Sequence, residues 1–192
     1  MNRIAALLVP IALAAAQMPA TAQADDPAAL IASQSDAMRV FARLAGAWRG
    51  PASIRQRDGS KLSFVQTERI GPFLGGSVLV IEGRGYDDHG AVRFNALAIV
   101  SYDPAKRAYT LHSHALGRVG DFAFEPTGDG YRWEIPLGPA GKVRYVATVR
   151  DGELHEVGER VVEGREPQRI FEMRLQRIGD TDWPAAGAIP RQ

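Results

Sequence analysis

The feature that most limits what this chain can fold into is its punctuation. From Pro51 to Arg177 a turn signal recurs about every ten to fifteen residues: Asp58-Gly59, Gly75-Gly76, Asp87 to Gly90, Asp103-Pro104, Gly117 to Gly120, Gly128 to Gly130, Gly138 to Gly141, Asp151-Gly152 and Gly164 to Pro167. Gly and Asn/Asp supply the positive φ that tight hairpins need, and Pro fixes φ while withdrawing a donor. The intervals suit strands and leave no room for a helix. They predict roughly ten strands, near 51–57, 61–70, 76–86, 91–102, 107–116, 119–125, 130–137, 142–150, 153–162 and 168–177. Neighbouring antiparallel strands at that spacing make a sandwich or a barrel, and an up-and-down barrel is the expected closure.

Several strands alternate in polarity. Tyr131, Trp133, Ile135 and Leu137 share one parity, and Arg132 and Glu134 the other. Phe171, Met173 and Leu175 oppose Glu172, Arg174 and Gln176, and Phe122 pairs with Phe124. Period-two alternation of this kind gives each strand a solvent face and an interior face. Strands 76–86 and 91–102 are apolar on both parities, so their inward face stays open, and a helix, the tail or a partner chain is expected to cover them. Gly83 and Gly85 inside a strand mark a bulge or strong bend.

Ahead of the strands, Ala37, Val40, Phe41, Leu44 and Trp48 recur at helical spacing, which predicts a short amphipathic helix over 36–45. Ser35 or Asp36 serves as its N-cap and Gly46 as its stop, with 25–35 a loose lead-in. The first 24 residues read as a secretory signal peptide: Arg3, an apolar run from Ile4 to Ala16, and a small-x-small site at Ala22-Gln23-Ala24. Removing residues 1–24 removes Arg3 and leaves 22 basic against 22 acidic residues. No basic stripe remains to track nucleic acid or an anionic membrane. Cysteine is absent, which excludes disulfides, thiolate sites and a lipid-modified Cys anchor. The expected product is a single periplasmic or secreted domain over 25–178, without a membrane anchor, followed by an irregular tail over 179–192 that Trp183 docks on the barrel.

Gly46-Ala47-Trp48, after a short helix and at the mouth of the first strand, resembles the G-x-W opening of the lipocalin-like (calycin) barrels. Tyr102-Asp103-Pro104, with Arg107 and Tyr109 across a hairpin, is similar to an uncharacterised secreted bacterial branch of such barrels. The resemblance implies that Trp48 closes the barrel base and that Arg174 or Arg177 packs over its ring as a cation–π contact. The last strand lacks the Arg-x-Tyr pair of the fatty-acid-binding relatives, so the resemblance does not imply a fatty acid.

Candidate chemistry is sparse. Glu68 shares a face with Leu62 and Phe64, and Glu82 and Arg84 share one with Val78 and Val80. If both faces are interior, Glu68, Glu82 and Arg84 form a polar cluster that orients a ligand, with Phe64, Val80, Tyr131, Trp133, Ile135 and Phe171 as an apolar lining. A structural ion pair near the rim is the competing reading. His112 and His114 form an H-x-H on one strand face, a metal pair if a third ligand converges and a solvated pair otherwise. His155-Glu156-Val157-Gly158-Glu159 lies in a strand and lacks the second His of a zinc-peptidase helix. Gly46 to Gly50 also resembles the G-x-W-x-G opening of nitrobindin-like barrels, which implies heme on a late-strand His such as His155. No nucleophile elbow or phosphate loop is present. The expectation is an exported barrel that binds a small apolar or amphipathic molecule without catalysis and without a cofactor. A heme-binding barrel, or an enzyme such as an isomerase or cyclase, is the alternative.

Overall fold

The computed structural model describes residues 26–183. The leader expected over 1–24 and the tail after Trp183 lie outside them. Ten antiparallel strands follow in chain order: β1 (Gly46–Arg55), β2 (Lys61–Phe73), β3 (Val78–Tyr86), β4 (Val92–Asp103), β5 (Ala108–Ala115), β6 (Arg118–Pro126), β7 (Gly130–Pro136), β8 (Lys142–Arg150), β9 (Glu153–Val161) and β10 (Gln168–Gly179). Each pairs with its neighbour in sequence, and β1 pairs with β10 to close the sheet into a barrel. Closure gives every strand a partner on both sides. The turns use the expected chemistry. Asp151 at φ 50° and Gly152 at φ 77° supply the two left-handed positions of a tight β8–β9 hairpin.

Two boundaries differ from the sequence expectation. β1 begins at Gly46, because Gly46, Ala47 and Trp48 already pair with Ile70, Arg69 and Glu68 of β2. Its register with β10 shifts between Ala47 and Trp48, and between the pairs Arg49–Gln176 and Ala52–Met173 the ladder skips Gly50 and Pro51, the latter with no N–H to give. The helix begins earlier than 36. α1 spans Pro27–Met38, with Asp26 accepting from the Ala28 N–H at 3.0 Å and Pro27 in its first turn. It continues as a 3₁₀ segment over Arg39–Leu44. Residues 27–37 carry little apolar periodicity, so their helicity was hidden. Met38, Phe41 and Leu44, the buried positions, recur every third residue, the period of a 3₁₀ turn.

This segment plugs one end of the barrel. Phe41 meets Tyr109 edge-on at 5.3 Å and Phe124 at 5.2 Å, and the Tyr109 hydroxyl donates to the Ala37 carbonyl at 3.0 Å. Beneath it Leu44, Trp48, Ile70, Leu154 and Leu175 are fully buried. The Trp48 indole N–H is satisfied by the Leu44 carbonyl at 2.9 Å. The arginine expected over its ring is elsewhere. Arg174 lies on the outer wall between Glu153 (2.9 Å) and Glu172 (3.5 Å), while Arg177 donates to the Ala45 carbonyl at 3.3 Å and pairs with Asp180. The cation–π contact in the described residues is Arg69 over Trp183, 4.6 Å from the ring centre. Trp183 also packs edge-on against Phe73 at 5.5 Å.

Candidate functional site

Strand parity and burial decide which side chains share the interior. β2 turns Phe64, Gln66, Glu68 and Ile70 inward, and β3 turns Leu79, Ile81, Gly83 and Gly85 inward. Val80, Glu82 and Arg84 are therefore on the outside. The expected interior cluster of Glu68, Glu82 and Arg84 is corrected: Glu82 and Arg84 pair with each other on the outer wall, Nε to Oε1 at 3.0 Å, and Glu68 alone faces in. The reason is volume. Gly83 sits opposite Glu68, and a Cβ there would stand 2.7 Å from Glu68 Oε1. Two glycines on one parity make room for the Glu68 carboxyl and the Phe64 ring, so the charged parity of β3 goes to solvent.

A second interior acid comes from β9. Leu154, Glu156 and Gly158 face in, and His155, Val157 and Glu159 face out. Glu156 is buried, opposite Ala147 of β8, which is itself opposite Tyr131 of β7. The small Ala147 leaves the Glu156 carboxyl room to meet Trp133, whose indole N–H donates to it at 3.1 Å. The Tyr131 hydroxyl is set against the same carboxyl. On β2, separated from β9 by β1 and β10, Gln66 is 2% exposed and donates its amide N–H to Glu68 Oε1 at 2.6 Å. Gln66 Oε1 is buried without a hydrogen-bond partner among the described residues.

A cluster of aromatic rings adjoins Glu156. Trp133 stacks on Tyr145 at 4.4 Å and 10°, Phe122 lies 5.4 Å from Trp133, and Phe171 lies 6.0 Å from Tyr145. Gly158 admits the Tyr145 ring, since a Cβ there would stand 2.7 Å from it. The β6–β7 ladder spans only Phe124–Trp133, Glu125–Arg132 and Pro126–Tyr131. Beyond it the two strands part, and a recess of about 340 Å³ opens on the outer surface, lined by Trp133, Arg132, Glu134 and Arg144. Trp133 thus belongs to both the recess and the interior cluster.

The electrostatics follow from burial. Desolvation pushes the Glu68 carboxyl up to about 8, with the Gln66 hydrogen bond opposing and the charge of Glu156 adding to the rise. Desolvation pushes Glu156 up to about 7, against the hydrogen bonds of Trp133 and Tyr131. Burial likewise raises the Tyr145 hydroxyl to about 12. Two carboxyls that hold protons near neutrality can donate as well as accept, and can move a proton on a bound molecule.

The histidines are outside. His112 and His114 face out, 3.2 Å apart at their Nε2 atoms, and Asp121 holds His112 Nδ1. No third His, Cys, Asp or Glu completes a metal site among the described residues. His155 is bound to Glu172 on the outer wall, Nε2 to Oε1 at 3.0 Å, and His89 sits in the exposed β3–β4 turn. His155 is thus turned away from the barrel interior, where an interior ligand would need it. Sequence reading missed Gln66, Tyr145 and Glu156. The signal for Glu156 was its parity with Leu154, an apolar residue beside the hairpin, which places the His155 parity on the solvent side.

Comparison with known proteins bears on the fold. No protein-family model matches the chain, and no curated protein matches it. Among solved structures it is similar to Rv2717c from M. tuberculosis, with a TM-score of 0.55 and 13% identity over 73% of this chain and 96% of that one. At that identity the likeness is one of fold. The class defined is a closed, ten-stranded antiparallel barrel with a helical plug at one end.

Proposed function

We propose that the barrel is an exported, lipocalin-like carrier whose interior binds one small apolar or amphipathic molecule, its body against the rings and its polar end at Glu68 and Glu156. The observation that carries this reading is the interior polar pair itself. Two buried carboxyls and an unpartnered Gln66 oxygen are costly to maintain for stability alone, and they sit among the aromatic surfaces from which apolar pockets are built. The export half rests on Arg3, the apolar run and Ala22-Gln23-Ala24. Titration with Nile red, a neutral environment-sensitive dye, tests the binding half. Saturable fluorescence at about one dye per native chain is expected; fluorescence that appears only on unfolding rejects the reading.

The raised carboxyls favour one second reading, proton transfer within a bound molecule. A ligand recovered from the protein in D₂O separates the two: a carrier returns it unlabelled, and an acid–base enzyme returns it with deuterium at carbon.

A further inference from the structure

The interior is rich in acceptors and poor in donors. Glu68 and Glu156 are buried, and neither is in an ion pair among the described residues. No Lys, Arg or His side chain is buried among them either. The donors that do reach the acids are the Gln66 amide, the Trp133 indole and the Tyr131 hydroxyl. Gln66 Oε1 has no hydrogen-bond partner among the described residues. Buried charge is tolerated when it is paired, and with no buried cation among the described residues the two carboxyls keep their protons near neutrality until a cation arrives. The rings that line the same space, Trp133 stacked on Tyr145, with Phe122 and Phe171 beside them, present the negative faces that attract cations.

We propose that the interior takes a small organic cation with N–H donors, a protonated amine or amidine on an apolar body, its charge held between Glu68 and Glu156 and one N–H given to Gln66 Oε1. This rests on the reading of the interior as the ligand site and names the class of its ligand. The molecule it binds brings the counter-charge that lets the two acids ionise.

The groups facing the acid pair agree in sign. Glu68 meets Gln66 on its own strand, Trp48 of β1 and Gly83 of β3, with Glu82 adding negative charge through the wall. Glu156 meets Ala147 of β8, Met173 of β10, and the phenols Tyr131 and Tyr145. None of these supplies a competing cation. An ammonium among them favours the ionised carboxylates, so binding expels the protons that burial retains. Affinity for the cation therefore rises with pH as the acids titrate, from about 7 for Glu156 to about 8 for Glu68.

Isothermal titration of the full chain with 2-phenylethylamine, 2-phenylethanol and 3-phenylpropionate tests the class. The amine should bind at least about 10-fold tighter than the isosteric alcohol at pH 8, with an enthalpy that varies with the buffer's ionisation enthalpy because protons are released. The propionate should not bind. Glu68→Gln and Glu156→Gln should each bring the amine-to-alcohol ratio toward one, and the wild-type comparison stands even if a variant misfolds. Equal affinity for amine and alcohol, tighter binding of the propionate, or Nile red binding with no amine binding overturns the cation and leaves the interior site standing. Failure of all four probes overturns the interior site and the cation with it.

Discussion

At the scale of single residues the two buried glutamates set how stability follows pH. The Glu68 carboxyl sits near 4.5 when solvated and near 8 in the fold. Below about pH 4.5 it is protonated in both states and contributes nothing. Between that value and about 8 the unfolded chain has released the proton while the native barrel keeps it, so stability falls as pH rises. Above about 8 both states are ionised, and the full cost of burying the charge is present. At ~1.4 kcal/mol per pKa unit, the loss between pH 5 and pH 9 is on the order of 4 kcal/mol. Glu68→Gln should raise the urea midpoint at pH 9 and flatten its pH dependence; an unchanged profile would mean that Glu68 reaches water. Trp48 makes a contrasting case. It is fully buried and its N–H is satisfied, so Trp48→Ala should cost ~3–5 kcal/mol. Arg177→Ala should cost under ~1 kcal/mol, because its partners are an exposed aspartate and one carbonyl. Chemical denaturation of both variants checks the pair.

At the scale of elements, what was legible depended on whether a segment's period matched its surroundings. The strands were legible because turn chemistry bounds each one and side chains alternate strictly, as in Tyr131-Arg132-Trp133-Glu134 and Phe171 to Gln176. α1 was not, because its exposed Ala, Ser and Gln residues have no buried face to betray. The inward parity of β3 was hidden for a third reason. Two of its interior positions are Gly83 and Gly85, whose value lies in absent volume, while Val80 on the other parity mimics a core face. Two variants test these assignments. Asp26→Ala removes the cap of α1 and should destabilise by ~0.5–2 kcal/mol, provided the plug is docked as Phe41 and Tyr109 place it. Gly83→Ala puts a methyl 2.7 Å from Glu68 Oε1. It should displace the carboxyl and weaken amine binding several-fold while circular dichroism stays that of the wild type; an amine affinity equal to wild type would place Glu68 elsewhere.

The whole molecule combines a closed wall with an uneven filling. The plug end is dense, from Phe41 and Leu44 through Trp48 to Leu154 and Leu175. Farther along the axis small residues, Ala52, Ala96, Ala98 and Ala147, alternate with half-buried rings, Phe64, Phe122, Trp133 and Phe171. The two acids lie between these regions, so a molecule lodged among the rings would present its polar end to them. The outer wall has its own unevenness. Leu97 and Ile99 of β4 remain exposed, since α1 reaches only the Tyr102 end of that strand, through Gln34. The interior is where ligand binding is decided. A crystal structure of the protein grown with 2-phenylethylamine examines it most directly. The predicted result is one molecule inside the barrel, its nitrogen within hydrogen-bond distance of Glu68, Glu156 and Gln66 Oε1 and its ring against Trp133 and Tyr145. A barrel packed solid by its own side chains, with the amine bound only on the outer wall, would contradict it.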